Sequence, residues 1–403
     1  MAQGGRLLRR RLCTLAFATV FVLSWLPSGE AHATPRDTSP IVWSDVVAPY
    51  LWAKTAIDDV AGTNPWMRDF AANPDGTYPF QPSTIETRKY FARAVVMVLA
   101  PLQPVDPSIA FADLDPSDPF YPYVNVAVQM HWMRATPSGT FLPDNPVTTT
   151  MVHRVLTLAL GLGPAVKALN HLHTADGVTF QLPQNFGSLL LGMQLGLRYN
   201  NPDDSMDVGP TTPLSRAQVA YSLYRATTEP SWAVPNLLSE YQTIELPALT
   251  PDQLQIVQWG VRYVGYPYVY AGEWGLSTPE PSALGGQPVP GFDCSGLTWW
   301  LLRANDGRAW NVAPPRPYPG WDIAQRSSTD MARTAALTFD RLQPGDMMFY
   351  DGDGNGVVDH VDTYIGNGWA LDSSSSVGGV TIMWVADGWY RDHFVDGRRV
   401  LPD

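Results

Sequence analysis

Apolar residues recur at helical spacing through roughly the first 230 positions, then give way to a mixture of helical and alternating patterns. A shared motif returns about every 60 residues in that first part: an aromatic or acidic opening, a helical apolar stretch, a turn, then a Thr/Ser-Arg start to a second helix. The middle copy reads FADLDPSDPFYPYVNVAVQMHWM from Phe111 and PSGTFLPDNPVTTTMVHRVLTLAL from Pro137. The first has NPDGTYPFQ from Asn73 and TRKYFARAVVMVL from Thr87; the third has QNFGSLLLGMQLGL from Gln184 and PLSRAQVAYSLYRA from Pro213. Each second helix opens on a Thr or Ser that can cap it, followed by apolar residues at helical spacing such as Val219, Leu223 and Tyr224. The pattern predicts three helical units over about 41–104, 105–167 and 168–229 within an all-α region 34–229; three ordinary helical hairpins would carry the same spacing.

Pro230, Pro235 and Pro247 mark 230–249 as a linker. A new unit, 250–403, then begins at a clean helix start: Thr250 caps, Pro251 takes the first helical position, and Leu254, Val257, Val261 and Val264 form one apolar face. Further on, MMFYD and HVDTYIG read as two short strands joined by a Gly/Asp turn. The turn Gly366-Asn367-Gly368 folds a third strand back on the second.

Composition narrows the class. The 403 residues are 45% apolar and 16% charged, which suffices for packed domains and excludes bulk disorder. A net charge of −12 argues against a nucleic-acid or anionic-membrane footprint. Residues 1–33 read as a secretory signal, with basic Arg6, Arg9, Arg10 and Arg11, an apolar run from Leu12 to Leu26, and Ala31-His32-Ala33 at the cleavage site. Removing four arginines and Glu30 moves the balance to −15, and no later run is long enough to span a membrane. An exported, soluble mature protein is expected. Of the two cysteines, Cys13 leaves with the signal, so Cys294 stays as a lone thiol in an oxidising compartment.

Cys294 lies in Asp293-Cys294-Ser295-Gly296, just before the helix-like LTWWLLRA. Unpaired N–H groups at a helix start favour a thiolate, the reactive form of cysteine; an inert buried thiol is the other reading of such a residue. A thiolate nucleophile needs a base, and the base needs a third group to orient it. His360 opens a predicted strand, whereas His393, the other histidine in this half, lacks such a frame. Asp372, twelve residues on, can return a carboxylate to the imidazole across the hairpin.

Two resemblances follow from these segments. The three copies resemble S-layer homology repeats, which implies a helical unit that binds a secondary cell-wall polymer. The arginine that would face that polymer is matched by Arg88 and Arg216; the middle copy has Thr149 in that place and Met151 for the following glutamate, and the other copies have Tyr90 and Gln218. GYPYVYAG from Gly265, FDCSGLTWWLLRA from Phe292, LQPGDMMFYD from Leu342 and DHVDTYIGNGWALDSS from Asp359 resemble, in order, the segments of NlpC-type papain-like cysteine peptidases over about 251–401. This implies an α+β papain-like domain with an antiparallel sheet, a peptidoglycan peptide as substrate, and hydrolysis of a stem-peptide amide, most often that between D-glutamate and a diamino acid. The resemblance makes Cys294 the nucleophile, His360 the base and Asp372 the orienting group, and it places Tyr268, Asp293 and Ser295 on the substrate side. No cofactor is required. A wall amidase, an acyltransferase and a non-catalytic wall-binding protein are the rival readings.

Three departures from that pattern stand out. Asp372 replaces the usual His, Asn or Gln; Asp362 replaces a glycine and, by period two, shares a strand face with His360; and Glu273 to Gly291 is a longer, Gly/Pro-rich stretch expected to rim the groove. In DGDGNGVVDHVD, residues Asp351, Asp353, Asn355, Asp359 and Asp362 fall at positions 1, 3, 5, 9 and 12 of a calcium loop, a structural calcium being weighed against a plain Asp-Gly turn. Trp299 and Trp300 read as core, while Trp274 and Trp369 are candidates for the groove.

Overall fold

The structure, a computed structural model, describes residues 40–274, 281–282, 285–287, 289–305 and 316–402. The signal segment lies outside these, as do the Trp274 side chain and much of the stretch from Glu273 to Gly291.

The helical half comprises α1 (Arg88–Leu99), α2 (Tyr121–Gln129), α3 (Thr149–Ala159), α4 (Gly163–Leu169), α5 (Phe186–Gln194) and α6 (Arg216–Thr228), with shorter turns between them. α1, α3 and α6 are the second helices of the three copies, and Thr87, Thr148 and Ser215 hold their N-cap positions. Ser215 makes a full capping box with Gln218 and Thr148 accepts from the Met151 N–H, but the Thr87 hydroxyl makes no cap bond. The three helix starts are tied into a ring by backbone alone. Glu86 N–H donates to the Leu214 carbonyl, Leu214 N–H to Val147, and Val147 N–H to Glu86. This cyclic pairing gives the copies an approximate threefold arrangement. The acidic openings have a matching use: Asp45 accepts from the N–H groups of Phe80 and Gln81, and Asp113 from those of Phe141 and Leu142.

The stretch 230–249, expected as a linker from its prolines, carries a packed helix. This is α7 (Ala233–Tyr241), with Pro235 in the first turn, where a missing N–H costs nothing. Tyr241, Ile244 and Leu246 are buried, and Leu246 N–H bonds back to His173.

The second half starts with α8 (Pro251–Gly260), whose Thr250 forms a capping box with Gln253. Its other long helix is α9 (Cys294–Leu302). Five antiparallel strands follow: β1 (Met347–Tyr350), β2 (His360–Gly366), β3 (Trp369–Ser374), β4 (Gly379–Trp384) and β5 (Phe394–Arg398), in spatial order β4-β3-β2-β1-β5. A short helix, α10 (Gly388–His393), links β4 to β5. One sheet face, with Val361, Thr363, Ile365 and Leu371, belongs to the main core with α9, and Thr363 hydrogen-bonds Thr298 there. The other face carries Met348, Tyr350 and Ala370, packed with Tyr390 and Phe394. Trp299, Trp300 and Trp369 are all core residues, so Trp369 is no part of a groove. The two halves touch through β4: Gln194 donates to Thr381 and Ile382, and the Tyr241 hydroxyl to the Ile382 carbonyl at 2.8 Å.

Packing between α3 and α5 depends on one small residue. A Cβ on Gly192 would lie 2.2 Å from the ring of His153, which is itself buried. Gly192→Ala should therefore destabilise the chain by about 1–3 kcal/mol, read as a lower urea midpoint.

Candidate active site

Cys294 sits in the first turn of α9, and the local sequence explains why the helix begins there. Asp293, in extended conformation, caps it by accepting from the Gly296 N–H. Gly296 allows the turn to lie against the backbone, because a Cβ there would meet the Gly272 carbonyl at 1.9 Å. Arg326 completes the arrangement from below. Its guanidinium pairs with Glu273 at 2.6 Å and Asp293 at 3.2 Å, and it donates to the Ser295 hydroxyl at 2.7 Å and to the carbonyls of Ala271 and Gly272. Burial works against the Arg326 charge, but Asp293 and Glu273 outweigh it and raise its pKa above the usual value. Asp293 and Ser295 are thus buried framework rather than the substrate contacts expected, since their polar atoms are taken up by Arg326 and by each other.

The thiol of Cys294 is unpaired and only 9% exposed. It opens on a cavity of about 670 Å³ that is also lined by His360, Tyr268, Tyr390, Trp389, Met383 and Ser374 to Ser376. Burial, then the neighbouring Cys294, holds the Tyr268 hydroxyl protonated well above its ordinary range.

His360 begins β2, and alternation puts Asp362 on its face. The β2–β3 register pairs Thr363 with Leu371, and one step further it brings Asp372 opposite Asp362. The result is one imidazole nitrogen facing two carboxylates: His360 Nε2 lies 3.1 Å from Asp362 and 3.1 Å from Asp372. Nδ1 is then the nitrogen left for the thiol side of the ring. Burial would lower the His360 pKa, but Asp362 and then the Cys294 charge raise it well above the ordinary value. Asp362 itself is pushed up to about 7, by burial and by the Asp372 charge beside it. The Tyr390 hydroxyl donates to the second oxygen of Asp372 at 3.1 Å.

The five-residue calcium set does not assemble. Asp351, Asp353 and Asp359 gather in the exposed turn, but Asp362 is buried on the strand with His360. The turn is held by its own bonds: Asp351 accepts from the N–H groups of Asn355 and Gly356, Asp359 from that of Gly352, and the Asn355 side-chain Oδ1 from that of Val357.

The two arginines matched to polymer binding differ sharply. Arg216 is 2% exposed and fully engaged, pairing with Asp69 and Glu86 and donating to the carbonyls of Phe80 and Met67. It is a staple between copies and has no face to offer a polymer. Arg88 makes the same kind of backbone contacts, to Phe141 and Arg134, but lines a cavity of about 200 Å³ with Trp132, Arg134 and Arg154. None of these three arginines has a salt bridge among the described residues. Burial and the adjacent Arg134 bring the Arg154 pKa down to about 10.

Sequence reasoning missed Arg326, Glu273, Tyr350, Tyr390 and Trp389. For Arg326 there was no local signal, because its partners are 31 to 55 residues away. For Tyr390 and Trp389 the cue was an aromatic pair just before the last strand, next to a sheet face otherwise rich in aromatic and sulfur-bearing residues.

Comparison with known proteins gives the same two-part division. Residues 265–399 match the NlpC/P60 family, and residues 110–148 match the S-layer homology domain. A gamma-D-glutamyl-L-lysine dipeptidyl-peptidase of Bacillus cereus is 26% identical over 53% of this chain and 58% of its own length. The murein DD-endopeptidase MepH of Escherichia coli is 26% identical over 35% of this chain and 43% of its own. The bifunctional muramidase/DL-endopeptidase CwlT of Bacillus subtilis is 30% identical over 36% of both. The chain thus spans about half the length of the curated relatives it matches, or less.

Arg326→Met removes the buried guanidinium that Asp293 and Glu273 pair with at the start of α9. It should destabilise the chain by about 3–5 kcal/mol in denaturant titrations and slow alkylation of Cys294 by iodoacetamide under native conditions.

Proposed function

We propose that this chain, whose C-terminal domain belongs to the NlpC/P60 family and which also carries an S-layer homology domain, hydrolyses an amide bond of peptidoglycan stem peptides by thiol chemistry. The observation that carries the reading is a single cavity lined by a helix-start thiol, an imidazole and a tyrosine, with buried carboxylates behind the imidazole. The Cys294 thiolate attacks the amide carbonyl carbon. Charge develops on the carbonyl oxygen, where the free N–H groups of the first turn of α9 and the protonated Tyr268 hydroxyl are the available donors. His360, held as imidazolium by the carboxylates, gives its proton to the departing amine and then takes one from the water that cleaves the thioester. The bond between D-glutamate and a diamino acid is the preferred target, in keeping with the name of the Bacillus cereus relative.

The S-layer homology domain implies a cell-surface location, and no described helix is long and apolar enough to cross a membrane. Attachment to an anionic wall polymer fits the Arg88, Arg134 and Arg154 cavity, because three guanidinium groups gather there and none has a salt bridge among the described residues, whereas Arg216 is buried against Asp69 and Glu86.

Purified muropeptides digested by wild type should yield products with new free peptide amines and no new amino-sugar ends, detected by mass spectrometry. His360→Ala should lower the rate about 10²–10⁴-fold and Cys294→Ala should abolish it. Equal cleavage by wild type and Cys294→Ala would remove the thiol mechanism, and new amino-sugar ends would favour an amidase. The full chain should sediment with isolated walls, and the double substitution Arg134→Ala, Arg154→Ala should reduce the pelleted fraction.

A further inference from the structure

One carboxylate is enough to orient a catalytic imidazole, yet here two converge on the same nitrogen. His360 Nε2, both oxygens of Asp362 and one oxygen of Asp372 are buried and find no hydrogen bond of good geometry among the described residues. Asp362 and Asp372 are wholly shielded from solvent. Apart from the ion pairs among themselves, these buried polar atoms have unused bonding capacity, and they converge on one point.

The nitrogen and one oxygen from each carboxylate lie within 4.8 Å of one another, with Nε2 3.1 Å from both oxygens. A tetrahedral ion with bonds of about 2.0–2.1 Å sets its ligand atoms about 3.3 Å apart, close to this spacing. One imidazole and two carboxylates are a donor set that suits zinc and its neighbours, and the net negative charge of the pair favours a dication. The Tyr390 hydroxyl, bonded to the remaining oxygen of Asp372, fixes that carboxylate from outside as outer partners of metal ligands do. His360 and Tyr390 both border the substrate cavity, which gives an ion its way in. The acidic turn at Asp351 is the weaker candidate, because its carboxylates are largely open to solvent and already accept hydrogen bonds from within the turn.

We propose that His360, Asp362 and Asp372 form a binding site for a divalent transition-metal ion of the zinc class, and that occupancy switches off the thiol chemistry. Coordination uses the Nε2 lone pair, so any proton on Nε2 is released to solvent and the ring keeps its one proton on Nδ1. The imidazole then has no lone pair for the Cys294 proton. The regulatory half of the proposal rests on the Cys294–His360 reading; the binding half does not.

The test uses the full chain, loaded with Zn²⁺ and freed of excess by gel filtration. Wild type should retain one zinc per chain, with an X-ray absorption shell of nitrogen and oxygen at about 2.0 Å and no sulfur at about 2.3 Å. Cys294→Ala should bind equally well, while Asp362→Asn and Asp372→Asn, checked for folding by circular dichroism, should each weaken binding at least about tenfold. The comparison of wild type with Cys294→Ala decides the matter even if the Asn variants fail to fold. A sulfur shell, loss of zinc in Cys294→Ala, undiminished binding by folded Asp362→Asn, or no bound zinc would overturn the site. With the site occupied, muropeptide cleavage should fall at least about tenfold over the same zinc range and recover with chelator; unchanged cleavage would overturn the switch and leave the site standing.

Discussion

The buried guanidinium of Arg326 is the interaction on which the catalytic half is built. A charge taken out of water persists only if its partners satisfy it fully, and this one is met by two carboxylates, a hydroxyl and two carbonyls. Each contact fixes something else. Asp293 is held as the cap that decides where α9 starts, the carbonyls of Ala271 and Gly272 set the backbone that follows Tyr268, and Ser295 is locked beside the thiol. Shift the guanidinium and Cys294, its helix and Tyr268 lose their common reference.

What could be read in the sequence was whatever local geometry encodes. A cap before an apolar helix, alternation along a strand, and a Gly-Asn-Gly turn are enough to bring Cys294, His360 and Asp372 into a plausible constellation, and alternation also placed Asp362 on the face of His360. Long-range partnership was not legible. Asp293 and Ser295 looked like substrate contacts because nothing near them announced Arg326, and Arg216 looked available because Asp69 and Glu86 lie far back in the chain. Asp362 belonged to two patterns at once, a loop spacing and a strand period, and burial decided between them. The helix within 230–249 was not legible because prolines mark helix starts as well as linkers.

The contrast between Arg88 and Arg216 shows how little a shared position determines. Both stand at the first position of their helices, and both reach a backbone carbonyl of a neighbouring copy. In one, two carboxylates complete the shell and turn the side chain into structure. In the other, Arg134 and Arg154 take the place of carboxylates and leave a positive hollow. An acidic protein can therefore still concentrate positive charge at one place.

Tyr241 and Gln194 reach from the helical half to β4, which lies beside the strand bearing Asp372. These contacts make the chain a tool with a fixed arm. A blade on a flexible tether sweeps a sphere; one bolted to its handle cuts along an arc set by where the handle is gripped. Under the proposed function, with the repeats seated on a polymer, the distance and angle at which the cavity meets a stem peptide are set by that grip, which would confine hydrolysis to peptides within one molecule's span of each point of attachment.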